Sequence, residues 1–352
     1  MPPPCLRQLF EHRRQSGDLS DMTYKNSLKR LSEWPTADLA HLPTPLIHLP
    51  LLGHVLGTNR LWAKMDAETG FALGGNKVRK LEYVLAPQEL KKVNCLITAG
   101  GPQSNHCRVT AAFAARQGMR CVLVTNPGHG KDPTGNALLH RLFGAEIVIV
   151  EDRSERVSQM QIVAAKLRAA GERPLVVPMG ASTPLGCLGY AQAAIELCEQ
   201  LDRLDDGCSE TFVFSASSSG GTLAGMILGL ALLNRTDVHL RGVSADATAQ
   251  KLDTVCRDLA QIAAATLLGT QIDPSGISFK SLDDQVGKGY GLSTTCSRES
   301  TELFGKYAGI VLDPTYTSKA AASLIAHLRA NPLKSHQRMV FLHTGGAPGL
   351  LV

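Results

Sequence analysis

Short runs of β-branched and aliphatic residues alternate along this chain with longer stretches of helical composition, and that alternation restricts the fold more than any other feature. The runs at 61–64, 94–98, 121–125, 146–150, 175–177, 211–214, 239–244 and 339–343 read as strands. The stretches at 105–117, 134–143, 154–170, 187–200, 223–233 and 317–330 read as helices. Strands rich in Val, Ile and Leu, each followed by a helix, predict a mostly parallel sheet covered on both faces. The class is α/β. In open sheets of this kind a ligand sits beyond the carboxyl ends of the strands, so the turns that leave a strand and enter a helix are where function is sought.

A length of 352 residues allows one large α/β unit or two lobes. The most apolar segment, 212–233, is interrupted by Ser and Gly, so a membrane span is not expected. The net charge of +5 arises from acidic and basic residues interspersed along the chain, which is weak ground for a nucleic-acid partner. The one basic cluster, Arg13 and Arg14 with His12 and Lys25, is diluted by Glu11, Asp18 and Asp21 and reads as a solvated terminus. The nine cysteines form no C-x-x-C pair and mostly sit in apolar runs, so they read as core residues in a reducing compartment, with neither disulfides nor a metal cage. Residues 1–21 lack the apolar stretch of a secretory signal. A cytoplasmic address is the expectation, with a mitochondrial one left open.

Three of the turns are unusual. In Gly74-Gly75-Asn76-Lys77-Val78-Arg79-Lys80, two glycines permit a tight backbone and three basic residues follow at a helix start. Cations there oppose the helix dipole, so they either serve an anion or extend into water, and for each lysine alone water is the ordinary outcome. Next, Thr98-Ala99-Gly100-Gly101-Pro102-Gln103-Ser104-Asn105-His106 leads from a strand into a helix start with hydroxyl, amide and imidazole groups beside free backbone N–H groups. That suits a carboxylate, although Ser104 or Asn105 could be an ordinary cap and His106 a structural histidine. In Ser215-Ala216-Ser217-Ser218-Ser219-Gly220-Gly221-Thr222, small residues let successive N–H groups converge on a phosphate at the start of an apolar helix. Neither a P-loop nor G-x-G-x-x-G is present, so ATP and NAD fit poorly. A phosphate cup, a lysine beside a glycine turn and a carboxylate-binding helix start together suggest pyridoxal phosphate bound as a Schiff base, with an amino acid as substrate.

The motifs Gly74-Gly75-Asn76-Lys77-Val78-Arg79-Lys80-Leu81-Glu82, Gln103-Ser104-Asn105-His106, Gly221-Thr222-Leu223-Ala224-Gly225, Gly289-Tyr290-Gly291, Leu312-Asp313-Pro314-Thr315-Tyr316-Thr317-Ser318-Lys319-Ala320 and His343-Thr344-Gly345-Gly346-Ala347-Pro348 resemble those of the D-cysteine desulfhydrase and 1-aminocyclopropane-1-carboxylate deaminase family. These run in order from about residue 40 to the end. The resemblance implies the tryptophan-synthase-β-like fold (fold type II), with two open, twisted, mostly parallel sheets flanked by helices. It implies a large cofactor domain of residues 1–78 and 186–352, a smaller mobile domain of 79–185, and a homodimer.

By motif, the resemblance makes Lys77 the Schiff-base lysine and proton carrier. Lys80, Gly220, Gly221 and Thr222 would hold the phosphate, Asn105 would lie beside the ring hydroxyl, and Ser104, Asn105 and His106 would receive the substrate carboxylate. Tyr290 and Tyr316 would face the substrate, and Thr344 would meet the pyridine nitrogen. His106, Thr317 and Thr344 resemble the desulfhydrase branch, whereas the segments 70–73 and 119–124 are closer to the deaminase branch. Ser218 stands where desulfhydrases usually carry Gly. The expectation is a β-elimination lyase acting on D-cysteine, with 1-aminocyclopropane-1-carboxylate, L-cysteate or another β-substituted alanine as the alternatives.

Overall fold

The computed structural model describes residues 19–128 and 132–352, with side chains from residue 24 onward. His12, Arg13 and Arg14 of the expected basic terminus lie outside the described residues. The strands are β1 (Leu46–His48), β2 (Leu61–Lys64), β3 (Cys95–Ala99), β4 (Arg120–Thr125), β5 (Glu146–Ile149), β6 (Pro174–Val176), β7 (Glu210–Ser217), β8 (Val238–Ser244), β9 (Phe279–Leu282) and β10 (Gln337–Leu342). The α-helices are α1 (Leu19–Glu33), α2 (Pro50–Val55), α3 (Asn76–Val84), α4 (Asn105–Arg116), α5 (Gly135–Leu142), α6 (Arg156–Ala169), α7 (Pro184–Asp202), α8 (Gly221–Leu233), α9 (Ala249–Ala263), α10 (Thr295–Ala308) and α11 (Thr317–Ala330).

Two sheets form. The larger has the order β1-β2-β10-β7-β8-β9 and is parallel except for β1, which runs antiparallel to β2. The smaller has the order β5-β4-β3-β6 and is wholly parallel. Every strand of the smaller sheet comes from the chain between α3 and α7. The expected domain boundaries at 78/79 and 185/186 fall within α3 and α7, two helices that pack on each other.

The inner strands of both sheets are buried on both faces, which explains why they read as near-continuous apolar runs. In the smaller sheet Cys95, Ile97 and Ala99 point to the face covered by Met160, Ala164 and Leu167 of α6, while Leu96 points to the face covered by α3 and α4. In the larger, Val213, Leu240 and Val340 meet α7, α8 and α9, and Phe214, Met339 and Phe341 meet α10 and α11. The eight expected strands all form, with ends displaced by up to three residues. Sequence reasoning missed β1 and β9, because three residues on an edge and a Phe279-Lys280-Ser281-Leu282 run carry little pattern. It also missed α9, whose buried Leu252, Cys256, Ala260 and Ala263 do recur at helical spacing.

Candidate active site

The three turns singled out above converge on one cavity of about 150 Å³ between the sheets. β3 delivers Gly100, Gly101 and the start of α4, β7 delivers Ser217 to Thr222, and Gly74 and Gly75 lead into α3 with Lys77. Gly75 has φ +106°, and a Cβ there would stand 3.0 Å from the Thr344 carbonyl oxygen. The same carbonyl accepts the Asn76 N–H at 3.0 Å, so the approach fixes where α3 begins.

The three cations of α3 go to three places, and none simply extends into water. Lys77 lines the cavity, where burial and then the nearby Arg108 guanidinium lower its amine to about 8 against the pull of Asp313. Lys80 is buried against the β7 turn and donates to Ser182 Oγ at 2.8 Å; burial and Lys77 hold it well below the ordinary lysine range. Arg79 points away from the cavity into a buried cluster, bonding Asp66 at 2.9 and 3.0 Å and Glu196 at 2.8 and 3.0 Å. Lys64 also pairs with Glu196, and Tyr190 donates to Asp66 at 2.6 Å.

The β7 turn has the form of an anion cradle. Gly220 is left-handed, and a Cβ on Gly221 would lie 2.6 Å from Lys80 Nζ and 2.7 Å from Ser182 Oγ. Asn76 Nδ2 donates to Thr222 Oγ1 at 2.9 Å, joining α3 to the start of α8. Ser217 Oγ is buried with no hydrogen-bond partner. Ser182, which also bonds Ser219 Oγ at 2.7 Å, escaped sequence reasoning. It follows β6, the shortest strand of its sheet, and only the turn Gly180-Ala181-Ser182-Thr183-Pro184 could have flagged it.

At α4 the Ser104 hydroxyl caps the helix by accepting the Cys107 N–H at 3.2 Å. Its own proton remains to be given. Asn105 Oδ1 is held by Arg108 at 2.7 Å and Asn136 at 2.9 Å, which leaves its Nδ2 as a donor beside the cavity. The imidazole of His106 does not fit its expected part in carboxylate binding. Thr98 Oγ1 donates to the Val177 carbonyl at 2.7 Å and therefore accepts from His106 Nε2 at 2.8 Å. Burial and the two lysines hold the ring neutral, so its Nδ1 carries no proton to donate. His106 can offer the cavity its backbone N–H, in the first turn of α4 where no intrahelical acceptor exists.

Tyr290 and Tyr316 share a hydrogen bond between their hydroxyls, with ring centroids 5.8 Å apart. Burial raises both phenols, so they hold their protons at neutral pH. Asp313 Oδ2 accepts the Tyr316 N–H at 2.9 Å, and Lys319 Nζ donates to the carbonyls of Val286 at 2.9 Å and Gly289 at 3.0 Å, steadying the loop before Tyr290. Thr344 completes the wall. Arg153 and Arg156, which also line the cavity, carried no recognisable motif.

This arrangement fits pyridoxal phosphate. The glycine cradle with its buried lysine and orphaned Ser217 hydroxyl suits the phosphate, and Lys77 presents an amine of lowered basicity for the aldehyde. Among the described residues no cluster of His, Cys, Asp and Glu suits a metal ion, and no helix is long and apolar enough to cross a membrane.

Comparison with known proteins agrees. Residues 37–345 match the model of the family described as pyridoxal-phosphate dependent enzyme. The chain is 37% identical over 328 residues to a D-cysteine desulfhydrase of Salmonella newport, covering 92% of this chain and 97% of that one, and equally so to one of Salmonella typhi. A crystal structure of an ACC deaminase homologue superposes with a TM-score of 0.81 at 30% identity, covering 93% of this chain and 96% of that one. A threonine deaminase of Solanum lycopersicum, at 16% identity and a TM-score of 0.64 over 94% of this chain and 86% of its own, shares the fold. The motifs, the converging turns and these similarities agree that the chain belongs to the family of pyridoxal-phosphate-dependent enzymes.

Proposed function

We propose that the protein is a β-elimination lyase for a small amino acid, D-cysteine first, converting D-cysteine and water to pyruvate, ammonia and hydrogen sulfide. One observation carries the choice: no acidic residue lines the cavity among those described, and Thr344 stands in its wall where the family resemblance puts the partner of the pyridine nitrogen. A carboxylate there would keep the nitrogen protonated and strengthen the ring as an electron sink, whereas a hydroxyl is a neutral partner. Opening a cyclopropane needs the strong sink. Eliminating thiolate needs less, because the electrons leave with the sulfur. The relatives named D-cysteine desulfhydrase support the same choice. L-cysteate and other β-substituted alanines fall in the same reaction class.

Pyridoxal phosphate, when bound, supplies an electron sink conjugated to the substrate's amino group. Lys80, Gly220, Gly221 and Thr222 would hold its phosphate, and Asn105 Nδ2 would serve as a donor to its ring hydroxyl. Ser104 and the N–H groups of Asn105 and His106 receive the substrate carboxylate. Lys77, with its amine near 8, takes the α-proton, and the Tyr290–Tyr316 pair faces the substrate as a neutral donor. The reading includes a mobile domain of residues 79–185 on a large domain of 1–78 and 186–352. It also includes a homodimer and a cytoplasmic address, the latter in keeping with eight free and mostly buried cysteines among the described residues.

The purified protein is tested with D-cysteine, L-cysteine, L-cysteate and 1-aminocyclopropane-1-carboxylate, scoring keto acid and released sulfur together. Pyruvate and sulfide from D-cysteine in equal amounts are expected. Preferential 2-oxobutanoate from the cyclopropane would instead establish the deaminase.

A further inference from the structure

The roles assigned so far leave two cavity-lining cations without a task. Arg153 follows β5 and Arg156 opens α6, so both reach the cavity from the smaller sheet. Arg153 stands at the mouth, its guanidinium 5.4 Å above the Tyr290 ring and its NH2 2.8 Å from Asp246 Oδ2. Asp246 also accepts from Ser218 of the phosphate cup at 3.1 Å, so this exposed ion pair joins the two sides of the cleft.

Arg156 differs from it. It is half-buried, its hydrogen bond goes to the neutral amide of Asn126, and its Nε is sealed from water without a partner. Among the described residues no carboxylate lies within ion-pair distance of it. Its NH2 lies against the glycine turn after β3, where a Cβ on Gly101 would be 3.6 Å away. Burial and then Arg153 push its basicity down, and no ion pair offsets them. A partly buried cation beside a second cation is costly unless an anion visits it.

The anions of the proposed chemistry can be assigned in turn. The phosphate has the β7 turn and Lys80, and the α-carboxylate has Ser104 and the start of α4. The leaving group has no partner yet. We propose that Arg156, with Arg153 beside it, forms the subsite that receives the departing anion of β-elimination: hydrosulfide from cysteine, or sulfite where the substituent is a sulfonate.

This inference rests on the lyase reading, and its chemistry balances without an oxidant or reductant. The α-proton passes to the Lys77 amine, the Cβ–S bond breaks with both electrons on sulfur, and a Cα–Cβ double bond forms. Water then converts the released 2-aminoacrylate to pyruvate and ammonia. A guanidinium placed where negative charge develops stabilises the transition state more than the neutral ground state.

The test compares D-cysteine with β-chloro-D-alanine, whose chloride leaves with little help. Arg156→Gln should lower kcat/KM for D-cysteine by about 10²- to 10³-fold and for the chloro compound by less than about tenfold, with Arg156→Lys recovering part of the difference. Asn126→Ala removes the hydrogen bond to Arg156 but keeps the charge, and should preserve the wild-type ratio between the two substrates. Calorimetric titration of the holoenzyme with thiocyanate, with D-alanine present to fill the carboxylate site, gives a readout independent of turnover; Arg156→Gln should weaken that binding about tenfold or more. Should Arg156→Gln not fold, Arg153→Gln is expected to show the same selectivity with a smaller loss. Equal losses for both substrates, or unchanged thiocyanate binding, overturn the subsite and leave the lyase reading standing. If the wild-type enzyme makes pyruvate from neither substrate, the lyase reading falls and takes the subsite with it.

Discussion

Buried positive charge is treated in opposite ways in two neighbouring regions of this molecule. Behind α3, Arg79 and Lys64 are answered by Asp66 and Glu196, with Thr44 and Tyr190 filling the remaining hydrogen bonds. In front of it, Lys77 and Arg156 line the cavity and Lys80 lies against the β7 turn, and the hydrogen bonds of Lys80 and Arg156 go to neutral groups, Ser182 and Asn126. One helix divides the two. Positions 77 and 80, three apart, share a face, while 79 lies about 200° around the axis from 77. A cation with its own carboxylate is part of the framework, whereas a cavity-lining one bonded to no carboxylate is placed to meet an anionic ligand. The paired cluster ties α3 to α7 and to the chain after β2, and so holds Lys77 at the cavity.

The contrast breaks most directly at Lys77. Lys77→Ala should remove the visible absorbance of the holoprotein and cut turnover by roughly 10³-fold or more, while leaving the far-ultraviolet circular dichroism unchanged. Full colour and activity in that variant would end the present assignment of the site. Arg79→Met is the matching change on the other face. It strands Asp66 and Glu196 as buried carboxylates near a single remaining cation, Lys64, and should cost about 3–5 kcal/mol in urea unfolding. A loss below about 1 kcal/mol would mean that the cluster is not the anchor proposed here.

Of this contrast, the glycine and serine turns of the cavity side were legible in the sequence and the framework side was not. Gly74-Gly75, Ser104-Asn105-His106 and the serine-glycine turn stand out because backbone freedom and helix starts leave a local signature. Arg79 could not be told from its two neighbours, since its carboxylate partners Asp66 and Glu196 lie 13 and 117 positions away. Ser182, Arg153 and Arg156 were hidden for the same reason: each meets the site through tertiary packing and has no motif of its own. His106 taught the converse. A motif placed it at the site, but the proton on its ring is set by Thr98 and Val177, which local sequence does not pair. Near-continuous apolar strands alternating with helices made the α/β class readable, while short edge strands such as β1 left too few residues to count.

The smallest effect, and the one that sharpens the comparison most, belongs to Lys80→Met. In the cofactor-free protein Lys80 is a buried amine bonded to a serine hydroxyl with no carboxylate to offset its burial, so an apolar side chain of similar length should leave stability unchanged or raise it. The pH dependence supplies the sign. Unfolded lysines titrate near 10.4, whereas burial lowers folded Lys77 to about 8 and holds Lys80 well below the ordinary lysine range. Between about pH 8 and 10.4 each of these two lysines binds a proton in the unfolded chain that it refuses in the folded one, so its contribution to apoprotein stability rises with pH across that window. Lys80→Met removes one such contribution and should make the slope of stability against pH less positive than in the wild type, as read from urea midpoints at several pH values. With the cofactor bound, the phosphate becomes the missing partner of Lys80, so the same substitution should raise the dissociation constant for pyridoxal phosphate about 10- to 100-fold, the worth of a charge-assisted hydrogen bond. A substitution that weakened the apoprotein and spared cofactor binding would move Lys80 to the framework side of α3.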